Sequence, residues 1–127
     1  MPHAILHRWD AVPSQAVAPG INRRFITAAR MTLARFALAR GAVVPAHSHD
    51  HEQLSYVVSG VLRFVVTPAG QAGAPGVPET ILVRAGEALQ IPSWAEHGVE
   101  ALDDAEVIDV FSPVRQDWLD GTDTYFR

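Results

Sequence analysis

Three of the six histidines alternate in one short stretch, His47, His49 and His51 in GAVVPAHSHDHEQLSYVVSG (41–60). Residues two apart on an extended strand point to the same face, roughly 6.5–7 Å apart along it. His47 and His49 on such a strand make a chelating pair, because neutral imidazole is the commonest nitrogen ligand of divalent metals. A His-rich surface loop is the plainer explanation of the same residues. A further histidine, His97, ends the segment GEALQIPSWAEH (86–97) after a Pro-containing turn. Alone, it reads as a loop histidine whose ring is satisfied by its surroundings.

The elements that must position these residues read as strands. Short groups of Val, Ile, Leu and Phe are broken by Gly and Pro at intervals of about ten residues, the pattern of an all-β chain. Strands are predicted over Arg23–Ala28, Met31–Ala39, Leu54–Ser59, Leu62–Thr67, Glu79–Val83, Ala88–Ile91 and Glu106–Phe111. No window carries a sustained helical stripe. The Gly/Pro/Ala-rich stretch Pro68–Pro78 is expected to be a loop between two strands. A length of 127 residues, 48% hydrophobic and 19% charged, suits one compact domain spanning 1–127.

Composition also narrows the function. A net charge of −4 supplies no basic patch for nucleic acid. The absence of cysteine rules out disulfides, Cys-ligated zinc and a thiol nucleophile. No apolar run approaches a membrane span and no signal layout opens the chain, so a soluble cytoplasmic protein is expected. The H-E-x-x-H and G-x-S-x-G motifs are absent.

The first histidine segment resembles the cupin pattern G-x5-H-x-H-x3-E-x6-G, with Gln53 where glutamate is usual. The second resembles G-x5-P-x-G-x2-H-x3-N through Gly86, Pro92 and His97, with Trp94 replacing Gly and Ala101 replacing Asn. This resemblance implies a jelly-roll barrel (a double-stranded β-helix) in which His47, His49, Gln53 and His97 hold one divalent metal, nickel, manganese, zinc or iron. Glu52 is the rival to Gln53. Neighbours on a strand face opposite ways, so only one of them can ligate, and the motif spacing favours Gln53. His51 falls in the turn and is expected outside the ligand set.

A narrower resemblance links HSHDHEQLSYVVSG and the late VIDVFSPVRQDWL to small cupins of pectin and alginate breakdown, which convert 4,5-unsaturated monouronates to linear keto forms. It implies that Asp109, Phe111 and Arg115 lie at the active site. Val107, Asp109 and Phe111 share one strand face, and an aspartate buried there unpaired costs several kcal/mol. Asp109 is therefore either a proton shuttle in a polar cavity or half of an ion pair with Arg115 or Arg63. Arg115 is either a clamp for a substrate carboxylate or an exposed terminal arginine. Phe111 packs or walls the pocket, and Tyr56 reaches the pocket or packs the barrel. Of the adjacent Arg23 and Arg24, one could point inward to substrate, although such pairs are ordinarily solvated. Trp94 is a candidate cap for the barrel mouth. Trp118, Tyr125 and Phe126 in the tail predict packing on the barrel or on a second subunit.

Three classes of function fit. The first is a metal-dependent isomerase for a small anionic, sugar-derived substrate. The second is an Fe(II) dioxygenase, and the third is a non-catalytic ligand-binding module. By the same resemblance, a homodimer is expected.

Overall fold

The structure, a computed structural model, describes residues 3–70, 73–74 and 76–123. Among these residues, ten strands follow a short 3-10 turn at Trp9–Ala11. They are β1 (Gln15–Ala18), β2 (Ile21–Thr27), β3 (Thr32–Leu38), β4 (Val43–His47), β5 (Glu52–Ser59), β6 (Val61–Thr67), β7 (Glu79–Arg84), β8 (Ala88–Ile91), β9 (Glu96–Ala101) and β10 (Ala105–Ser112). One helical turn, α1 (Gln116–Asp120), comes after them. No helix among the described residues is long and apolar enough to cross a membrane.

All pairings are antiparallel, in a six-stranded sheet ordered β1-β2-β3-β10-β5-β8 and a four-stranded sheet ordered β4-β9-β6-β7. The inner faces of the two sheets close on each other as the jelly roll that the sequence predicts. Strict alternation builds this interior. On β10, Ala105, Val107, Asp109 and Phe111 are buried, and on β5, Gln53, Ser55 and Val57 are. The apolar members join Ile21, Phe36, Leu38, Leu62, Phe64 and Ile91 in one core. Burying a side chain such as Ile91 contributes about 1.5–3 kcal/mol. The polar members gather in one region of the interior, and that region is the site described below.

All seven predicted strands are present, with ends shifted by a few residues. Three were not predicted, namely β1, β4 and β9. Each is short or interrupted by residues that read as loop: Pro45 lies inside β4, and β9 contains Gly98 between two charged residues. Pairing partners, more than local propensity, make them strands. The Pro68–Pro78 stretch does connect two strands, β6 and β7. Gly60, the last glycine of the first motif, turns β5 into β6 with φ of 81°, and a Cβ there would collide with the Asp104 carbonyl. Only glycine fits that turn.

Candidate metal centre

His47 is the last residue of β4 and stands directly opposite His97 of β9 in the ladder. His97 is thus a strand residue, a correction to its reading as a loop histidine. The expectation of one strand carrying both His47 and His49 also needs correcting, because β4 ends at His47 and His49 lies in the following loop. Two clips hold that loop to the turn before β9. The Trp94 N–H donates to the His49 carbonyl (2.8 Å), and the Ser93 hydroxyl donates to the Asp50 carbonyl (2.6 Å). Trp94 adopts φ of 65°, the left-handed conformation for which the cupin pattern uses glycine.

All three rings are oriented the same way. Each Nδ1 bonds a main-chain carbonyl two residues off: Pro45 for His47 (2.8 Å), His51 for His49 (3.0 Å) and Ala95 for His97 (2.9 Å). An Nδ1–H committed to a carbonyl leaves Nε2 as a lone pair, the tautomer a metal requires. One ligating nitrogen from each ring lies within 4.8 Å of the others. Burial pushes the His47 and His49 pKa values down to about 4 and about 3, and also lowers that of His97, so the rings are neutral at physiological pH. The buried His97 Nε2 has no hydrogen-bond partner among the described residues. A buried nitrogen left in that state is costly, and a divalent cation within the cluster would satisfy all three rings. The residues present fit such a cation.

Gln53, on the inner face of β5, brings its Oε1 to 3.2 Å from His49 Nε2. With His49 Nδ1 donating, both of these atoms are acceptors, and a cation between them removes the mismatch. The other end of the amide, Nε2, donates to the fully buried Ser55 hydroxyl at 2.9 Å. Glu52 is exposed on the outer face, where alternation puts it.

Asp109 lies across from Ser55 in the β5–β10 register. Burial raises its pKa to about 7, opposed by hydrogen bonding from Ser55 and by the charge of Arg115. Its buried Oδ1 has no partner among the described residues. Both candidate ion-pair partners are engaged with other acids. Arg63 pairs with Glu100 on the outside of the barrel. Arg115 holds Asp117 in a two-point contact, Nε–Oδ1 3.0 Å and Nη2–Oδ2 2.8 Å.

Arg115 is buried rather than exposed, with its guanidinium 4.6 Å from the Phe111 ring centre and 4.3 Å from that of Trp118. Phe111 in turn meets the His49 ring edge-on. His47, Gln53, His97, Asp109, Phe111 and Arg115 line one cavity of about 50 Å³, floored by apolar residues including Leu62, Phe64 and Val107.

Other expectations are redirected. Tyr56 lies on the outer face, half exposed, because three residues from Gln53 reverses the parity, so the barrel does not bring it to the cavity. Arg23 does point inward, and there it pairs with Asp123 (3.3 Å) and Gln15 and stacks on Trp118, while Arg24 reaches out to the Trp9 carbonyl. Trp94 lines an outer groove with Ser48, Thr67 and Glu96 instead of the metal cavity. His51 bonds the Val114 carbonyl (3.0 Å), tying the histidine loop to the segment before α1. Trp118 packs on the barrel against Phe25, Phe36 and Phe111. Tyr125 and Phe126 lie outside the described residues. Sequence reading missed Ser55, whose only signal was sharing the inward parity of Gln53.

This is the architecture of a cupin, with three of the pattern's histidines in one cluster. Residues 34–111 match the cupin domain family, and the chain belongs to that family. Among solved structures it is similar to KdgF from a Halomonas species, with 32% identity over 86% of this chain and 94% of the other and a TM-score of 0.73. An RmlC-like cupin from Shewanella frigidimarina (24% identity, 91% and 96% coverage, TM-score 0.76) shares the fold. So does oxalate decarboxylase from Bacillus subtilis (20% identity, TM-score 0.73), where 87% of this chain aligns with 31% of that longer one. No curated protein matches the sequence significantly.

Proposed function

We propose that the chain is a divalent-metal-dependent enzyme that isomerises a small sugar-derived anion, of the kind formed when an unsaturated uronate opens to its linear keto form. The observation that carries this reading is a three-histidine cluster, His47, His49 and His97, two of whose members share a cavity wall with a carboxyl group of pKa near neutrality. In this reading His47, His49, His97 and Gln53 hold the metal, which when bound supplies Lewis acidity to substrate oxygens.

The chain's own residues do the rest. Asp109, with a pKa of about 7, is divided between carboxylate and acid at neutral pH, so it can take a proton from a substrate hydroxyl and give it to a substrate carbon. Arg115, held in place by Asp117, presents its guanidinium on the cavity wall, where it would orient a substrate carboxylate. Phe111 packs on both the Arg115 guanidinium and the His49 ring. The cavity takes an ion and a few water-sized atoms, so a sugar acid would enter with its reacting end first.

The test is turnover of 4,5-unsaturated monouronates, followed by loss of their conjugated ultraviolet absorbance, with protein reconstituted separately with Ni²⁺, Mn²⁺, Zn²⁺ and Fe²⁺. Turnover with at least one metal supports the reading. Iron-dependent oxygen uptake without isomerisation would replace it with a dioxygenase, and metal binding without either reaction with a ligand-binding module.

The half-exposed Leu54, Tyr56 and Val58 on the outer face of β5, beside Ile108 and Val110 of β10, support a homodimer formed through the six-stranded sheet. Sedimentation that gives the mass of one chain would refute it.

A further inference from the structure

We infer that Ser55 is a positioning residue that holds the Gln53 amide with its carbonyl oxygen, and not its NH2, turned into the histidine cluster. The inference rests on the metal-centre reading and concerns how a neutral amide can serve there at all. A glutamate presents oxygen whichever way its head turns. A glutamine presents oxygen in one orientation and an NH2 group with no lone pair in the other. The metal-free site favours the wrong one, because a flipped Gln53 would donate its NH2 to the lone pair of His49 Nε2, now 3.2 Å from Oε1. Some other contact must outweigh that gain.

Ser55 supplies it. Its single proton has two possible takers, the carboxylate of Asp109 across the β5–β10 ladder and the oxygen of a flipped Gln53. Asp109 in its ionised form is the stronger taker, through a charge-assisted bond. With that proton committed, the hydroxyl is left as an acceptor, and it accepts from Gln53 Nε2 at 2.9 Å. The amide nitrogen is thereby turned away from the cluster and Oε1 towards it. All three groups are buried, where water cannot substitute for a lost partner. The hydrogen-bond sense thus runs from Gln53 through Ser55 to Asp109, and the acid proposed to move protons also fixes the ligand.

Ni²⁺ affinity, measured by competition with a chromogenic chelator, tests this in four proteins: wild type, Ser55→Ala, Gln53→Glu and the double variant. Ser55→Ala should weaken Ni²⁺ binding by about 10–100-fold, the usual cost of losing an orienting partner. In the Gln53→Glu background, where both ends of the head are oxygen, the same change should cost no more than about threefold. Ser55→Thr, which keeps the hydroxyl, should restore most of the affinity. If Ser55→Ala does not fold, Ser55→Cys, similar in shape and a poor hydrogen-bonding group, replaces it. Equal losses in the two backgrounds would mean that Ser55 only packs, and no loss in either would mean that it positions nothing; both overturn the inference while leaving the metal centre intact. Wild-type protein that binds no more Ni²⁺ than His49→Ala would overturn the metal centre and this inference with it.

Discussion

Two regions of this barrel bury polar groups, and they do so in opposite ways. Around α1, each buried arginine has an acid: Arg115 has Asp117, and Arg23 has Asp123. The two guanidiniums also flank Trp118, each 4.3 Å from its ring centre. In the histidine cavity, His97 Nε2 and Asp109 Oδ1 are buried without a hydrogen-bond partner among the described residues. Paired burial fastens the C-terminal segment to the barrel. Unpaired burial gives no such structural return, and it falls beside the three histidines that could hold an ion. The residue types alone do not separate the two regions, since each mixes ionisable side chains with aromatic ones.

The contrast can be broken most sharply at its two ends. His49→Ala should remove stoichiometric metal, read by elemental analysis of protein purified without chelators, with little change in thermal unfolding of the metal-free form. Asp109→Asn should lower isomerase turnover by about 100-fold or more while leaving metal content unchanged; retained turnover would take the proton role away from Asp109. Trp118→Ala should do the reverse. It should cost about 3–5 kcal/mol of stability in denaturant unfolding, and the protein that remains folded should still bind metal.

A pH series on the metal-free protein sharpens the same point. The histidines, depressed to about 4 and about 3 at His47 and His49, stay neutral in the fold while the unfolded chain takes up protons below about 6.5. Their contribution is therefore present above pH 6.5 and is lost as pH falls towards 4. Asp109, raised from 3.8 to about 7, has the opposite sign, because the fold keeps a proton that the unfolded chain has released. Its contribution falls as pH rises from about 4 to about 7. Asp109→Asn removes that opposing slope, so the variant should gain stability more steeply than wild type between pH 4 and 6.5. Parallel curves would contradict the raised pKa. The smallest effect is expected at Trp94→Gly, where relief of the left-handed backbone should stabilise by about 0.5 kcal/mol without altering metal affinity.

Much of the fold was legible because it depends on alternation, a local property. The runs that became β2, β3, β5, β6, β7, β8 and β10 carry enough branched and aromatic residues to declare themselves, and their parity already turned Gln53 and Asp109 one way and Glu52 the other. β1, β4 and β9 did not declare themselves, since proline, glycine and charge dilute their pattern and their neighbours in the sheet hold them extended. The same failure misplaced the reasoning about His47, His49 and His97. Their closeness comes from one rung of the β4–β9 ladder and a clipped loop, neither of which depends on residues two apart on a strand.

By itself the sequence determined the all-β class, the cupin motifs with their three histidines, and the inward face of each strongly patterned strand. Tertiary structure alone decided which nitrogen each histidine presents, that Tyr56 faces away from the cavity, that Arg23 and Arg115 are buried against acids of the C-terminal segment, and that the Ser55 hydroxyl meets the Gln53 amide opposite Asp109 on the ladder. The reason is physical. Alternation and motif spacing are written along the chain, whereas hydrogen-bond direction, burial and pKa depend on groups brought from distant positions across the sheets.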